Sequence, residues 1–130
     1  MDALVAAVAP GINADGNCNA GFLRDDALLV VTFLSDDPNY EDAIGPQQWY
    51  DAVLAAKHGD PKAVVMVGFT PAFTGCGSNG TTKGAHWAEF IAMWPNNIHA
   101  SICDTDYAST FATAVDLVDK SCDQYVPPVQ

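Results

Sequence analysis

Two carboxylates and a hydroxyl stand together at Ser35, Asp36 and Asp37, and a second acidic pair, Glu41 and Asp42, follows within one loop. Oxygen donors at this density suit hard divalent cations, since Mg²⁺ takes one or two carboxylates plus waters and Ca²⁺ takes more oxygens. Asp36 leaves the preceding apolar run first, which makes it the leading ligand candidate, with Ser35 and Asp37 beside it. Asp37-Pro38-Asn39 also reads as a turn, because Asp and Asn bond their own backbone. The loop DDPNYED is not an EF-hand, for it lacks that loop's central Gly and closing Glu. The same carboxylates suit an Mg²⁺-dependent hydrolase or phosphotransfer domain, with Asp36 as acceptor and Thr70 at the next strand end. That chemistry needs positive charge at the third strand end, where this chain has Cys103 and Asp104; the added negative charge opposes it. A Gly-x-Ser-x-Gly elbow is missing. His58 and His86 sit at helix ends and His99 inside a strand, positions explained by packing and helix electrostatics. The residues therefore favour a non-enzymatic role.

The elements that position these groups follow from hydrophobic patterning. Ala27–Asp37, ALLVVTFLSDD, is almost continuously apolar until its last three residues. It predicts a strand buried on both faces, as in a parallel sheet covered by helices. Asp2–Val8 predicts a short helix stopped by Pro10, and a polar loop leads from it to Ala27. Pro46 opens the helix PQQWYDAVLAAKHGD, with Trp49, Val53 and Ala56 on its apolar face and Gly59 at its end. Further strands are expected at Ala63–Phe69 and Ile98–Ile102, and a helix at Ala85–Trp94. The last helix runs from Asp106, its amino-terminal cap, to about Cys122, and buries Phe111, Val115 and Val118. Alternating strands and helices specify an α/β fold, a three-layer sandwich with a small parallel sheet. Ligands of open α/β sheets bind outside the carboxyl ends of the strands. That edge gathers Ser35/Asp36/Asp37, Phe69/Thr70 and Cys103/Asp104/Asp106. The ligand-facing loops are Asp37–Gly45 and Thr70–Gly84, with Asn39, Asp42, Thr70 and Asp104 as contact residues.

Composition narrows the partners. The net charge is −11, from 16 acidic and 5 basic residues. Such a balance argues against nucleic acid, whose phosphates demand clustered Lys and Arg, and is compatible with divalent cations. No stretch reaches the length of a membrane-spanning helix, so no membrane insertion is expected. MDALVAAVAP lacks a basic leader and is not a signal peptide. Four cysteines, Cys18, Cys76, Cys103 and Cys122, show no CxxC spacing. Three pairings are open, and cysteines in Gly/Asn/Ser loops favour an oxidising compartment with at least one disulfide.

Taken in order, LLVVTFLSDD, PQQWYDAVLAAKHGD, AVVMVGF and IHASICDTDYASTFATAVDLV resemble the carboxy-terminal half of a von Willebrand factor A domain. NAGFLRDDALLVVTFLSDD with SICDTDYASTF is similar to secreted or lipid-anchored bacterial members, and the likeness spans about Asn17–Cys122. The resemblance implies a single Rossmann-like domain over residues 1–130, lacking the family's first strands and incomplete at its amino terminus. It implies an adhesion or recognition module, extracellular or in the cell envelope, that is part of a longer precursor and binds a protein ligand. The family holds a divalent cation, Mg²⁺ or Ca²⁺, with a DxSxS motif, a Thr and an Asp. Only the Asp carries over, onto Asp36, since no DxSxS segment occurs in this sequence. A missing neighbour would leave Ala27–Ser35 at an open sheet edge, so self-association through that edge is expected. An incomplete domain without independent function is the third reading.

Overall fold

The computed structural model describes residues 1–36, 43–71 and 85–128. Strands β1 (Leu29–Leu34), β2 (Val64–Thr70) and β3 (Asn97–Ser101) alternate with helices α3 (Pro46–Ala55), α4 (Ala85–Ala92) and α5 (Ala108–Gln124). Two short helices, α1 (Asp2–Val8) and α2 (Pro10–Asn13), precede them. Pro10 ends α1 and also opens α2, occupying the first-turn position where its missing N–H costs nothing. The three strands form one parallel sheet in the order β1-β2-β3. The chain is thus a mixed α/β fold around a small three-stranded parallel sheet, as the alternating pattern predicts.

The rank of the strands differs from expectation. Every residue of β2 is buried, whereas β1 alternates half-buried and exposed residues along its length. Ala27–Asp37 was expected to supply a strand covered on both faces; instead it supplies an edge strand with one face open. Its apolar run is the same length in either position, so periodicity alone does not distinguish them.

Successive β2 side chains feed different clusters, as strand geometry requires. Val64 and Met66 pack with Trp49 and Val53 of α3, with Phe90 and Ile91 of α4, and with Trp94 and Val8. Val65, Val67 and Phe69 pack with Ala114 of α5, joined by Leu28, Ile98, Ala100, Leu117 and Val118. Trp49 and Trp94 are completely enclosed and serve as core. Tyr50 and Phe90 lie against Trp94, with ring centroids 4.5 and 6.0 Å away.

Local signals place the helix ends. The Gly45 N–H donates to Gln48 Oε1 (3.1 Å) ahead of Pro46, fixing the start of α3. At its far end His58 and Gly59 both take positive φ, 54° and 80°. The Gly59 N–H then turns back to Leu54 O (2.9 Å), a closure that favours Gly at this position. In α5 two expectations fail. Tyr107, not Asp106, is the cap residue, and Asp106 Oδ1 accepts from the Ala108 N–H one step further on (2.8 Å). The buried residues are Ala114 and Ser121, while Phe111 and Val115 are 44 % and 59 % exposed. The helix presses its small residues onto β2 and leaves its bulky stripe turned aside.

Candidate functional site

The carboxyl rim of the sheet is assembled by a backbone ladder that outlasts the strands. The Ser35 N–H donates to Phe69 O and the Ile102 N–H to Thr70 O, each at 2.9 Å. Residues Ser35-Asp36, Thr70-Pro71 and Ser101–Asp104 therefore leave the sheet at one level. Past β3 the chain turns on Ser101, whose Oγ accepts from the Cys103 N–H (3.1 Å). Its carbonyl accepts from the Asp104 N–H (3.3 Å). Tyr107 fastens this turn to α5, donating its hydroxyl to Ile102 O (2.6 Å) and placing its ring edge-on to Phe69 (5.3 Å).

The expected contact residues have separate fates. Asp36 and Asp104 are exposed on the rim and Ser35 is half-buried. Thr70, expected to face a ligand, is instead fully buried. Its register partner is Ser101, and the neighbouring His99 brings Nε2 to 2.7 Å from Thr70 Oγ1. Burial holds the His99 imidazole below its ordinary pKa, so the ring is neutral at pH 7. Asp37, Asn39 and Asp42 lie outside the described residues. Among the described residues, no group of three or more His, Cys, Asp or Glu converges as a metal ion would require. The described oxygen donors at the rim nearest Asp36 are its own carboxylate and the Ser35 hydroxyl, a partial set for Mg²⁺ or Ca²⁺.

Charge is distributed unevenly along the strand axis. Asp36, Asp104 and Asp106 are exposed at the carboxyl rim. The described cations gather at the other end: Arg24, Lys57 and Lys62 precede strands, and Lys120 lies on the last turns of α5. The end of α5 sits there because Gln124 and Tyr125 share a concavity with Lys62 and Asn96. Two of the acidic groups at that end are paired. The Arg24 guanidinium, 3.0 Å from Asp26 Oδ1, holds the Asp26 carboxyl below its usual range. His58 Nε2 is 2.7 Å from Asp25 Oδ1. Lys57 is 3 % exposed, and its Nζ donates to Arg24 O (2.6 Å) and Ala27 O (2.8 Å). Tyr125 lies against it, 5.8 Å from Nζ to ring centroid, and gives its hydroxyl to Asp25 O (2.6 Å). Among the described residues no lysine or arginine stands at the rim.

Lys57 and the Thr70–His99 pair were not singled out from sequence. A signal for Lys57 exists, since Trp49, Val53 and Lys57 recur every four residues, a spacing that carries the buried face of α3 into the turn just beyond its end. His99 carried no such signal, because its partner is set by strand register. Of the cysteines, Cys103 is disulfide-bonded to a partner outside the described residues, while Cys18 and Cys122 are free and exposed. Among the described residues, no helix is long and apolar enough to cross a membrane. Compared with protein-family models, with curated proteins and with solved structures, the chain gives no match.

Proposed function

We propose that this chain is a non-enzymatic recognition module of von Willebrand factor A type, binding a protein ligand through the carboxyl rim with the help of a divalent cation, Mg²⁺ or Ca²⁺. In this reading the sheet and its flanking helices form a three-layer sandwich. The module works in the cell envelope or outside the cell as part of a longer protein. The observation that carries the reading is the placement of side-chain charge: Asp36, Asp104 and Asp106 lie exposed on one rim, while the described lysines and arginine lie toward the opposite end. A rim whose described side chains carry carboxylates and no lysine or arginine attracts divalent ions and the Lys or Arg side chains of a partner. Asp36 is the principal ligand, with the Ser35 hydroxyl beside it.

Titration of the chain with Mg²⁺ and Ca²⁺, followed by amide chemical shifts, tests this. Saturable shifts centred on Ser35 and Asp36 are expected, weakened at least about tenfold in Asp36→Asn, since a carboxylate is the principal anionic donor for such ions. Absence of saturable shifts with either ion would remove the cation from the reading. Mg²⁺-dependent turnover of a phosphate ester, lost in Asp36→Asn, would replace recognition by catalysis.

A further inference from the structure

Helices α1 and α2 meet α3 around a cavity of about 480 Å³, a volume within the range of small-molecule sites. It lies apart from the carboxyl rim, for its charged end is formed by Asp25, ahead of β1, and His58, just beyond α3. Nine of the twelve lining residues are apolar, and five of these are alanines, Ala9, Ala14, Ala52, Ala55 and Ala56. Walls of methyl groups leave room for a flat ring that longer side chains would fill.

The three polar lining residues, Asn13, Asp25 and His58, decide which ligand the cavity can satisfy. Asn13 gives its amide N–H groups to Ala7 O (2.7 Å) and Ala9 O (2.9 Å), two carbonyls that fix the amide's orientation. Its Oδ1 is buried and has no hydrogen-bond partner among the described residues. His58 Nε2 lies 2.7 Å from Asp25 Oδ1. A carboxylate only accepts, so Nε2 is the donor, and a neutral ring then leaves Nδ1 as an acceptor. Asp25 keeps its second oxygen, Oδ2, outside that pair. Each side-chain polar atom left open in the lining is therefore an acceptor.

Charge points the same way. Asp25, Asp26 and Asp60 stand within electrostatic reach of Lys57, and Arg24 pairs with Asp26. That neighbourhood holds three carboxylates against two cations, in a chain of net charge −11. Lys57 spends its hydrogens on Arg24 O and Ala27 O rather than on Asp25.

We propose that this cavity binds a small organic ammonium ion, its apolar body between the alanine walls and its head on Asp25. An ammonium carries three donors and no acceptor, which complements a lining that offers acceptors alone. A hydroxyl brings one donor without the charge, and a carboxylate brings only further acceptors. The site is independent of a metal ion at Asp36, which lies at the other end of β1.

Three compounds that share a ring and differ in the head test this at about pH 8, where an ordinary imidazole is neutral. Tryptamine carries the ammonium, tryptophol a hydroxyl and indole-3-acetate a carboxylate. Each is titrated into the 130-residue chain and followed by amide chemical shifts. Tryptamine should give saturable shifts at Val5, Val8, Ala52 and His58, with a dissociation constant between about 10 μM and about 1 mM, the range open to a ligand of this size. Tryptophol should bind at least about tenfold more weakly, because charge-assisted hydrogen bonds are roughly twice as strong as neutral ones, and indole-3-acetate more weakly again. Asp25→Asn should weaken tryptamine at least about tenfold while moving tryptophol less than about threefold. Ala55→Phe, which fills the cavity from an exposed helix position, should abolish binding of tryptamine, and keeps the proposal open to refutation if Asp25→Asn fails to fold. No saturable shifts with tryptamine, equal affinity for tryptamine and tryptophol, or binding that survives Ala55→Phe overturns it. Shifts centred on Ser35, Asp36 and Asp104 in place of the cavity overturn it as well, since they would show a cation drawn to the acidic rim alone.

Discussion

Gly68→Ala is expected to destabilise the protein, although alanine suits a strand interior at least as well as glycine. Gly68 lies at the centre of β2, between Phe33 of β1 and Ile91 of α4. A Cβ built there stands 2.9 Å from Phe33 Cζ and 3.2 Å from Ile91 Cγ1, and the Ile91 Cδ1 methyl is closer still. Real Cβ contacts do not close to 3 Å, so either α4 must lift or both side chains must leave their rotamers. Overpacking of this kind costs about 1–3 kcal/mol. For a chain of this length that lowers the melting temperature by roughly 4–12 °C. The partner is identified by a double-mutant cycle. Ile91→Val removes the offending methyl; alone it should cost about 0.5–1.5 kcal/mol as a small cavity. In the Gly68→Ala background it should be neutral or stabilising, giving a coupling of about 1 kcal/mol or more. Urea denaturation of the four proteins, with equal m-values, measures all the terms. Additive effects, or a Gly68→Ala protein as stable as the parent, would refute the claim that α4 is seated on a bare backbone.

Two further outcomes follow from buried polar groups. Lys57→Met keeps the chain length but removes two charge-assisted hydrogen bonds and orphans the carbonyls of Arg24 and Ala27. A loss of about 2–4 kcal/mol in chemical denaturation is expected, and a loss under about 0.5 kcal/mol would contradict the role given to this cation. His99 has its pKa lowered by burial, so on acidification the unfolded chain takes up the proton first. Its contribution to stability is full above about pH 6.5 and declines as the pH falls through the folded-state value. Between pH 7 and 5 the urea midpoint of the parent should therefore drop more steeply than that of His99→Gln; parallel slopes would count against a neutral, half-buried ring.

Much of the fold was legible because it rests on local chemistry. Helix α3 was marked by Pro46 at its start, Gly59 at its end and Trp49 and Val53 between them. The strand at Val64–Thr70 was marked by its unbroken apolar run. Alternation of such elements is enough to demand parallel strands, since each must return over the sheet. Asp36 could be placed at a strand's carboxyl end for the same reason. What periodicity could not supply was rank within the sheet. Leu29–Leu34 and Val64–Thr70 read almost alike, yet the first is an edge and the second the centre.

Local pattern specifies the elements, their order and the excess of negative charge. Each of these depends on residues near one another along the chain or on a simple count. Packing between distant segments sets which apolar residues are core and which are surface. Phe111 and Val115 have the spacing of a buried face, but the sheet beneath α5 is too narrow to cover that stripe. It likewise decided that Thr70 turns to His99 and that Lys57 closes the amino end of the sheet, because those partners are 29 to 33 residues apart. Contacts over such separations are set by strand register and helix docking, which local pattern does not encode.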